Sequence, residues 1–285
     1  MSPQAATTGR LAEKPGDRSP YIVDAHHGGK ASEMRLVEMS WGRLVDVHDV
    51  DANGVPNATP LFRDLVVKES VISDATGYVL ERNPVTARTR LIIRRTFGAP
   101  ARGGVTFEDL LRAAEGPLAP VQPRALAGTS SLPFSLVPRN ACLVLRFDDL
   151  LEDSAATARS LEQTLSLHTG YPPTSPFRAR VLFDPNHGGV SGGAFHSTRV
   201  LVDLTISPAE IAGIATPVPP NPVGLPASIP DAPQANVSLE LPFEVDPARG
   251  QFLILRNLSG ARLASEDNGP IVTTQTPSLQ RALRS

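Results

Sequence analysis

The sequence predicts an all-β fold of two β-sandwich domains, with one or two short helices and extended terminal arms. From Arg35 onward, apolar and polar residues alternate with a period near two, and Gly, Pro, Asn and Asp separate the alternating runs. A Pro-rich stretch at 117–133 then divides these runs into two groups. A chain of 285 residues has the length of about two domains.

The first domain is predicted to span residues 32–128. Its four strand candidates are runs of β-branched and other apolar residues bounded by turn formers, at 34–50, 61–72, 77–83 and 89–97. The Asn-Gly pair in the loop "DANGV" is a strong hairpin signal between the first two. One short helix is expected near 107–115, because Thr106 can cap its first turn and Gly116-Pro117 can end it.

The second domain is predicted to span residues 129–264. It contains four further strand candidates, a short helix opened by Ser207, a Pro-rich crossing at 216–234 and a final hairpin within 236–260. The four strand candidates lie at 140–147, 163–169, 177–184 and 197–207. Residues 1–31 and 265–285 lack a core of their own and are interpreted as an N-terminal arm and a C-terminal tail.

The composition excludes several classes of partner and site. A net charge of -2 without a concentrated basic region argues against binding to nucleic acid. No apolar run approaches the ~18 residues of a membrane span, so no membrane insertion is expected. Cys142 is the only cysteine, which excludes an intramolecular disulfide and a zinc site built from several thiolates. Its apolar neighbours predict a buried thiol.

The segment "LVPRNACLVLRFDDLLEDSA", residues 136–155, opens the second domain with a turn followed by an alternating strand. It resembles the bacterial Ig-like domain of S-layer and other surface proteins, over about residues 132–207. The residues that carry the resemblance are Pro138, Asn140, Ala141, Phe147 and Leu150. The resemblance implies an Ig-like β-sandwich that acts as a structural spacer or adhesive module, with no catalytic residue to carry over.

The stretch "HDVDANGVPNATP" at 48–60 holds the densest set of oxygen ligands. Asp49, Asp51 and Asn53 follow the first half of a D-x-D-x-N-G calcium loop, and Asp46 or Asp64 are candidates for an added ligand. Pro60 occupies the position of the bidentate Glu, so an EF-hand is excluded. Two interpretations stay open: a plain Asn-Gly turn, which we favour, and a calcium site in a β-hairpin.

A second cluster of residues that could be catalytic lies at 183–199. It contains the pattern G-x-S-x-G around Ser191, with His187 and His196 as possible bases. We expect this match to be chance, because a strand rather than a helix is predicted after the serine. The pattern D-x-x-H-G-G occurs at both Asp24 and Asp184, as an old duplication or by chance. A metal site shared by Asp24, His27, Asp184 and His187 is an open alternative.

The function predicted from these patterns is structural and non-catalytic. We expect a subunit of an extracellular or cell-surface assembly, a filament or a layer, in which terminal arms dock on other copies of the chain. The N-terminus has no apolar signal-peptide segment, so either the protein is intracellular or its export signal lies outside this numbering. The alternatives are a calcium-assisted module that binds glycans or proteins, and a virion structural protein. No cofactor is expected apart from the calcium just discussed.

Overall fold

The structure of the protein is a computed structural model that describes residues 33–68, 71, 77–82, 89–121, 136–137, 141–169, 175–177, 179–204, 236–241, 254–263 and 271–275. Its architecture is mostly β with a mixed sheet, which confirms the prediction of a β-rich fold. In this part of the chain the helices are α1, Phe107–Glu115, and α2, Ala155–Thr164. The strands are β1 Glu33–Met34, β2 Leu36–His48, β3 Phe62–Val67, β4 Tyr78–Arg82, β5 Thr89–Ile93, β6 Ala119–Pro120, β7 Leu136–Val137, β8 Cys142–Phe147, β9 Ser166–Thr169, β10 Ser175–Phe177, β11 Arg180–Phe183, β12 Gly188–Ser191, β13 Ala194–Ser197, β14 Arg199–Asp203, β15 Asn236–Glu240, β16 Arg262–Leu263 and β17 Ile271–Gln275.

The long strand β2 organises the largest sheet. The strand order is β11-β14-β8-β2-β5-β4, and β3 and β6 also pair with β2. Leu36–Gly42 pairs with β8, whereas Arg43–His48 pairs antiparallel with β3 and parallel with β5. The strand therefore connects segments that the sequence assigned to different domains, and the boundary at 128/129 stays a prediction.

Gly42 lies where β2 changes partners. It is the last residue paired with β8, and Arg43 is the first paired with β3. A Cβ atom at this position would clash with the Val67 carbonyl oxygen and would lie only 2.7 Å from a Val66 methyl group. The absence of a side chain at Gly42 thus permits the close approach of β3 to this crossing point.

Strand β8 places alternate side chains in two cores. Leu143, Leu145 and Phe147 belong to the larger core with residues of β11, β14 and α2, while Cys142 and Val144 lie in a smaller core with Leu201. This arrangement follows from the period-two geometry of a strand. Phe147 is fully buried, and the predicted burial of the Cys142 thiol is confirmed.

Helix α1 begins and ends where the sequence predicts. The Thr106 hydroxyl accepts a hydrogen bond from the Asp109 backbone N–H, and the Asp109 carboxylate accepts one from the Thr106 N–H. This reciprocal pair satisfies two backbone donors that the first helical turn leaves unpaired. Phe107, Leu111 and Ala114 pack into a third core against β3 and β5.

Helix α2 corrects the predicted strand at 163–169. The helix continues to Thr164, and β9 begins only at Ser166. Ser154 caps the helix by accepting a hydrogen bond from the Thr157 N–H, and Leu161 is buried one turn further along. The Glu162 carboxylate also accepts a hydrogen bond from the backbone of β11, which covers part of an edge strand.

A second sheet has the order β10-β9-β15-β17-β7. Its strand β17 comes from the predicted C-terminal tail, 265–285, and pairs antiparallel with β15 and parallel with β7. Near the other end of the chain, β1 pairs parallel with β16. The N-terminal arm 1–31, the helix at Ser207 and the Pro-rich crossing 216–234 lie outside the described residues.

Candidate functional site

The loop between β2 and β3, residues 49–61, contains a small hairpin of its own. Val50 bridges to Pro56, and the Asp51 backbone N–H donates to the Val55 carbonyl. Gly54 has a φ of 82°, which suits the left-handed position of a three-residue hairpin loop. The Asn-Gly pair therefore marks a tight turn. Strand β2 ends several residues before this turn, and β3 begins several residues after it.

The three candidate calcium ligands take different positions in this loop. Asp51 Oδ1 accepts hydrogen bonds from the Asn53 and Val55 backbone N–H groups, both 2.8 Å long. Asp49 is buried, and its two oxygens accept hydrogen bonds from the Asn57 amide and the Phe97 backbone N–H. Asn53 is exposed at the tip. The carboxylates thus stabilise the loop itself, and calcium binding stays a prediction.

Asp46 and Asp64 lie at a β-bulge. Val45 pairs with Leu65 and Val47 pairs with Phe62, so two residues of β3 oppose Asp46 alone. Asp64 adopts a positive φ of 53°, a conformation that Asp tolerates better than most residues, and its N–H donates to Asp46 Oδ1. The bulge places the Asp64 carboxylate 3.7 Å from the Arg180 guanidinium.

Among the described residues, no group of three or more His, Cys, Asp or Glu side chains has the arrangement of a metal site. Asp24 and His27 of the suggested shared site lie outside those residues. The Asp184 and His187 side chains, the other half of that suggestion, bind each other directly.

Ser191 lies at the end of β12, in the hairpin β12–β13. Gly192 and Gly193 form the turn, with φ values of 57° and 84°, and β13 follows at once. A nucleophile elbow requires a helix after its serine. The rings of His187 and His196 bind the carboxylates of Asp184 and Asp153, at 2.9 Å each. Among the described residues, neither ring has a hydrogen bond to Ser191.

A charged cluster forms around His187 instead. Its Nδ1 lies 2.9 Å from Asp184 Oδ2, and its Nε2 lies 3.2 Å from Glu115 Oε1 at the end of α1. Arg199 adds a positive charge 3.8 Å from the same Asp184 oxygen. The Asp184 carboxylate is buried and also accepts a hydrogen bond from the Asn186 backbone. Two carboxylates thus hold one imidazole ring.

This geometry changes the pKa values of the pair. Burial and the Arg199 charge would lower the pKa of His187, but the contacts with Asp184 and Glu115 outweigh them and raise it to about 9. Burial would raise the pKa of Asp184, yet His187 and Arg199 hold it below its ordinary value of 3.8. His187 is therefore a cation at neutral pH and Asp184 an anion.

The same cluster joins two parts of the main sheet. His187 reaches Glu115 on α1, the Asn186 amide donates to the Arg63 carbonyl on β3 at 2.9 Å, and Arg180 approaches Asp64. These polar contacts connect the β11–β14 side of the sheet to the β3–α1 side. The partners in these contacts are far apart in sequence, so no local pattern predicts them. Within the cluster, only the pair Asp184 and His187 is indicated by a local pattern, D-x-x-H.

A cavity of about 590 Å³ lies beside the small hairpin. The hairpin forms one wall, β4 and β5 form the second, and the segment 94–102 forms the third. Three arginines and two acidic residues line it, together with apolar side chains: Arg94, Arg95, Arg102, Asp51, Glu81, Val50, Val79 and Ile92. Sequence reasoning selected only Asp51 from this set, as a calcium ligand, because the three walls are distant in sequence.

No protein-family model, curated protein or solved structure shows significant similarity to this chain. Neither of the helices described here is long and apolar enough to cross a membrane.

Proposed function

We propose that the protein is a non-catalytic structural subunit of an extracellular or cell-surface assembly, a filament or layer in which terminal segments connect the copies. The observation that carries the proposal is the position of β17, Ile271–Gln275, between β15 and β7. This C-terminal segment forms backbone hydrogen bonds on both of its sides. The same pairings would form if the strand came from a neighbouring copy, which is the principle of strand addition and of domain swapping.

The finer fold belongs to the same proposal. We infer that residues 132–207 form an Ig-like sandwich, since β8, β14 and β11 are antiparallel neighbours and β8 alternates its side chains as that resemblance requires. The first domain, 32–128, would be a second sandwich that shares β2 with it. Such modules serve as spacers in surface assemblies, which supports a structural role.

Deletion of residues 266–285 tests the proposed connection. We expect the full chain to form oligomers or fibres with increasing concentration, and the deletion variant to lose them, as measured by light scattering after size exclusion and by electron microscopy. Deletion of 276–285 alone is the matched control, because it keeps β17 and should assemble normally. A full chain that stays monomeric at millimolar concentration, or a 266–285 deletion that assembles like the full chain, would contradict the proposal.

The non-catalytic part is tested at Ser191. A fluorophosphonate probe should not label this residue, and Ser191→Ala should unfold at the same temperature as the unchanged chain. Labelling that disappears in Ser191→Ala would overturn this part of the proposal. Ser238→Ala is the control variant, because it also replaces a serine but lies on β15 in another sheet.

A further inference from the structure

The cavity beside the small hairpin has the size and lining of a ligand site. Its volume of about 590 Å³ lies within the range of small-molecule pockets, roughly 300–1,000 Å³. Val50, Val79 and Ile92 supply an apolar surface, and five charged side chains supply most of the polar surface. This combination suits a ligand with an apolar body and a charged end.

The charges of the lining favour an anion. Three arginines face two carboxylates, a net formal charge of +1. Both carboxylates already have partners: Asp51 Oδ1 accepts two backbone N–H groups of its turn, and Glu81 forms a 2.5 Å ion pair with Arg90 on the adjacent strand. The acidic groups are therefore engaged, while Arg95 and Arg102 contribute positive charge to the cavity.

Arg95 lines the cavity with part of its guanidinium group buried. One of its terminal nitrogens donates to the Arg94 carbonyl at 2.7 Å, but its buried Nε–H has no hydrogen-bond partner among the described residues. Four other arginines share this property, yet Arg95 alone among them lines the cavity. Because this Nε is enclosed by protein, a bound anion would instead meet the terminal N–H groups of Arg95 that do not donate to the Arg94 carbonyl.

Arg102 is fixed at the rim by a tight turn. Its backbone forms reciprocal hydrogen bonds with Val105, and Gly103 and Gly104 adopt φ values of 63° and 79°, the pattern of a type I′ turn. Its side chain is exposed. The turn holds the Cα of Arg102 while leaving its guanidinium group accessible to a ligand.

We propose that this cavity binds a small organic anion through Arg95 and Arg102, with the anion's apolar body against Val50, Val79 and Ile92. The planar guanidinium group matches carboxylate and phosphate oxygens in the same bidentate manner. The proposal is independent of the assembly function, because the cavity is built from residues 50–102 and not from the terminal strands.

The test is an NMR titration of the full chain with hexanoate, inorganic phosphate and the neutral alcohol hexan-1-ol. We expect hexanoate to shift the backbone amide signals of 50–56 and 94–102 in a saturable way, and hexan-1-ol to bind at least about tenfold more weakly, the scale of one hydrogen bond to a charged group. Phosphate binding at the same amides would mean that the anion alone is recognised. Binding of hexanoate alone would mean that the apolar body is required.

Arg102→Gln should weaken hexanoate binding by about tenfold, for the same reason, and Arg95→Gln by at least as much. Arg159→Gln, an exposed arginine on α2 that removes the same charge, is the control and should bind normally. Since the Arg102 side chain is exposed, its variant tests the proposal even if Arg95→Gln fails to fold. No saturable shift with either anion, or equal binding by Arg102→Gln and Arg159→Gln, would overturn the proposal.

Discussion

Phe147 ends the alternating run of β8 and has no exposed surface in the largest core. Replacing it with Ala removes a whole aromatic ring from a packed site, so we expect a loss of about 3–5 kcal/mol in the free energy of unfolding. Urea denaturation measures it. Phe97→Ala is a matched control, because Phe97 is 40% exposed and should lose less. A Phe147→Ala chain as stable as the control would show that the register of β8 is wrong.

His187 predicts a loss of stability at alkaline pH. Its pKa is raised from 6.5 to about 9, so the folded state binds this proton more tightly than the unfolded state. The resulting stabilisation is fully present below pH 6.5 and is lost as the pH rises through 9, and we expect it to be roughly 3 kcal/mol. Asp184 has a lowered pKa, so its contribution is instead lost as the pH falls.

Urea unfolding between pH 6 and pH 10 measures this effect. The His187→Gln variant should be less stable at neutral pH and should show a flatter alkaline profile. His196→Gln is the control, because it removes another histidine bound to a carboxylate but leaves the Asp184–His187–Glu115 contacts in place. An unchanged alkaline profile in His187→Gln would contradict the assignment.

The loop carboxylates allow a test of the calcium hypothesis. Because Asp49 and Asp51 already accept hydrogen bonds within the loop, we expect added calcium to leave the melting temperature unchanged. A specific site at ~100 times its dissociation constant would add about 2.7 kcal/mol. A gain of this size that is specific to calcium over magnesium and lost in Asp51→Asn would favour the calcium site over the plain turn.

Among the elements, the helices show how local signals differ in strength. In α1, Thr106 and Asp109 form the complete capping box. Thr106→Ala should therefore destabilise the protein by about 1 kcal/mol, and Thr106→Ser, which keeps the hydroxyl, should restore most of that loss. Thermal unfolding distinguishes the two variants. Equal melting temperatures for Ala and Ser would mean that the cap does not stabilise the helix.

Helix α2 has no counterpart among the predicted elements, although its sequence carries a local signal. Ser154 is a good N-cap, and the following residues, "AATARSLEQT", contain neither Gly nor Pro. The predicted strand at 163–169 overlaps the last two residues of the helix, because Leu165 and Leu167 continue an alternating run that begins at Gln163. Only Thr157, Leu161 and Leu165, spaced four residues apart and all buried, mark the helical face. Short runs of apolar residues fit both the strand period of about two and the helical period of about 3.6, and tertiary packing decides between the two structures.

At the scale of the whole molecule, the sequence predicted strands but not their partners. The alternation of β8 and the capping of α1 are local properties, and both predictions are confirmed. The pairing of β2 with β8 joins residues about a hundred positions apart. The contact between His187 and Glu115 also joins parts of the chain that are distant in sequence. No local pattern encodes such contacts, because they depend on how the completed elements pack. For the same reason, the cavity could not be foreseen from its three separate walls.

The shared strand leads to a prediction about independent folding. A fragment of residues 32–128 would keep β3 and β5 but leave Leu36–Gly42 without β8, its antiparallel partner. A fragment of 129–264 would lose β2 from the edge of β8 and expose the core face of Leu145 and Phe147. We therefore expect neither fragment to unfold cooperatively alone, as measured by circular dichroism in urea, and a mixture of the two to regain a cooperative transition. Since an exposed β8 edge also favours aggregation, light scattering should accompany the measurement. Cooperative transitions in both isolated fragments would instead establish the two independent domains that the sequence predicts.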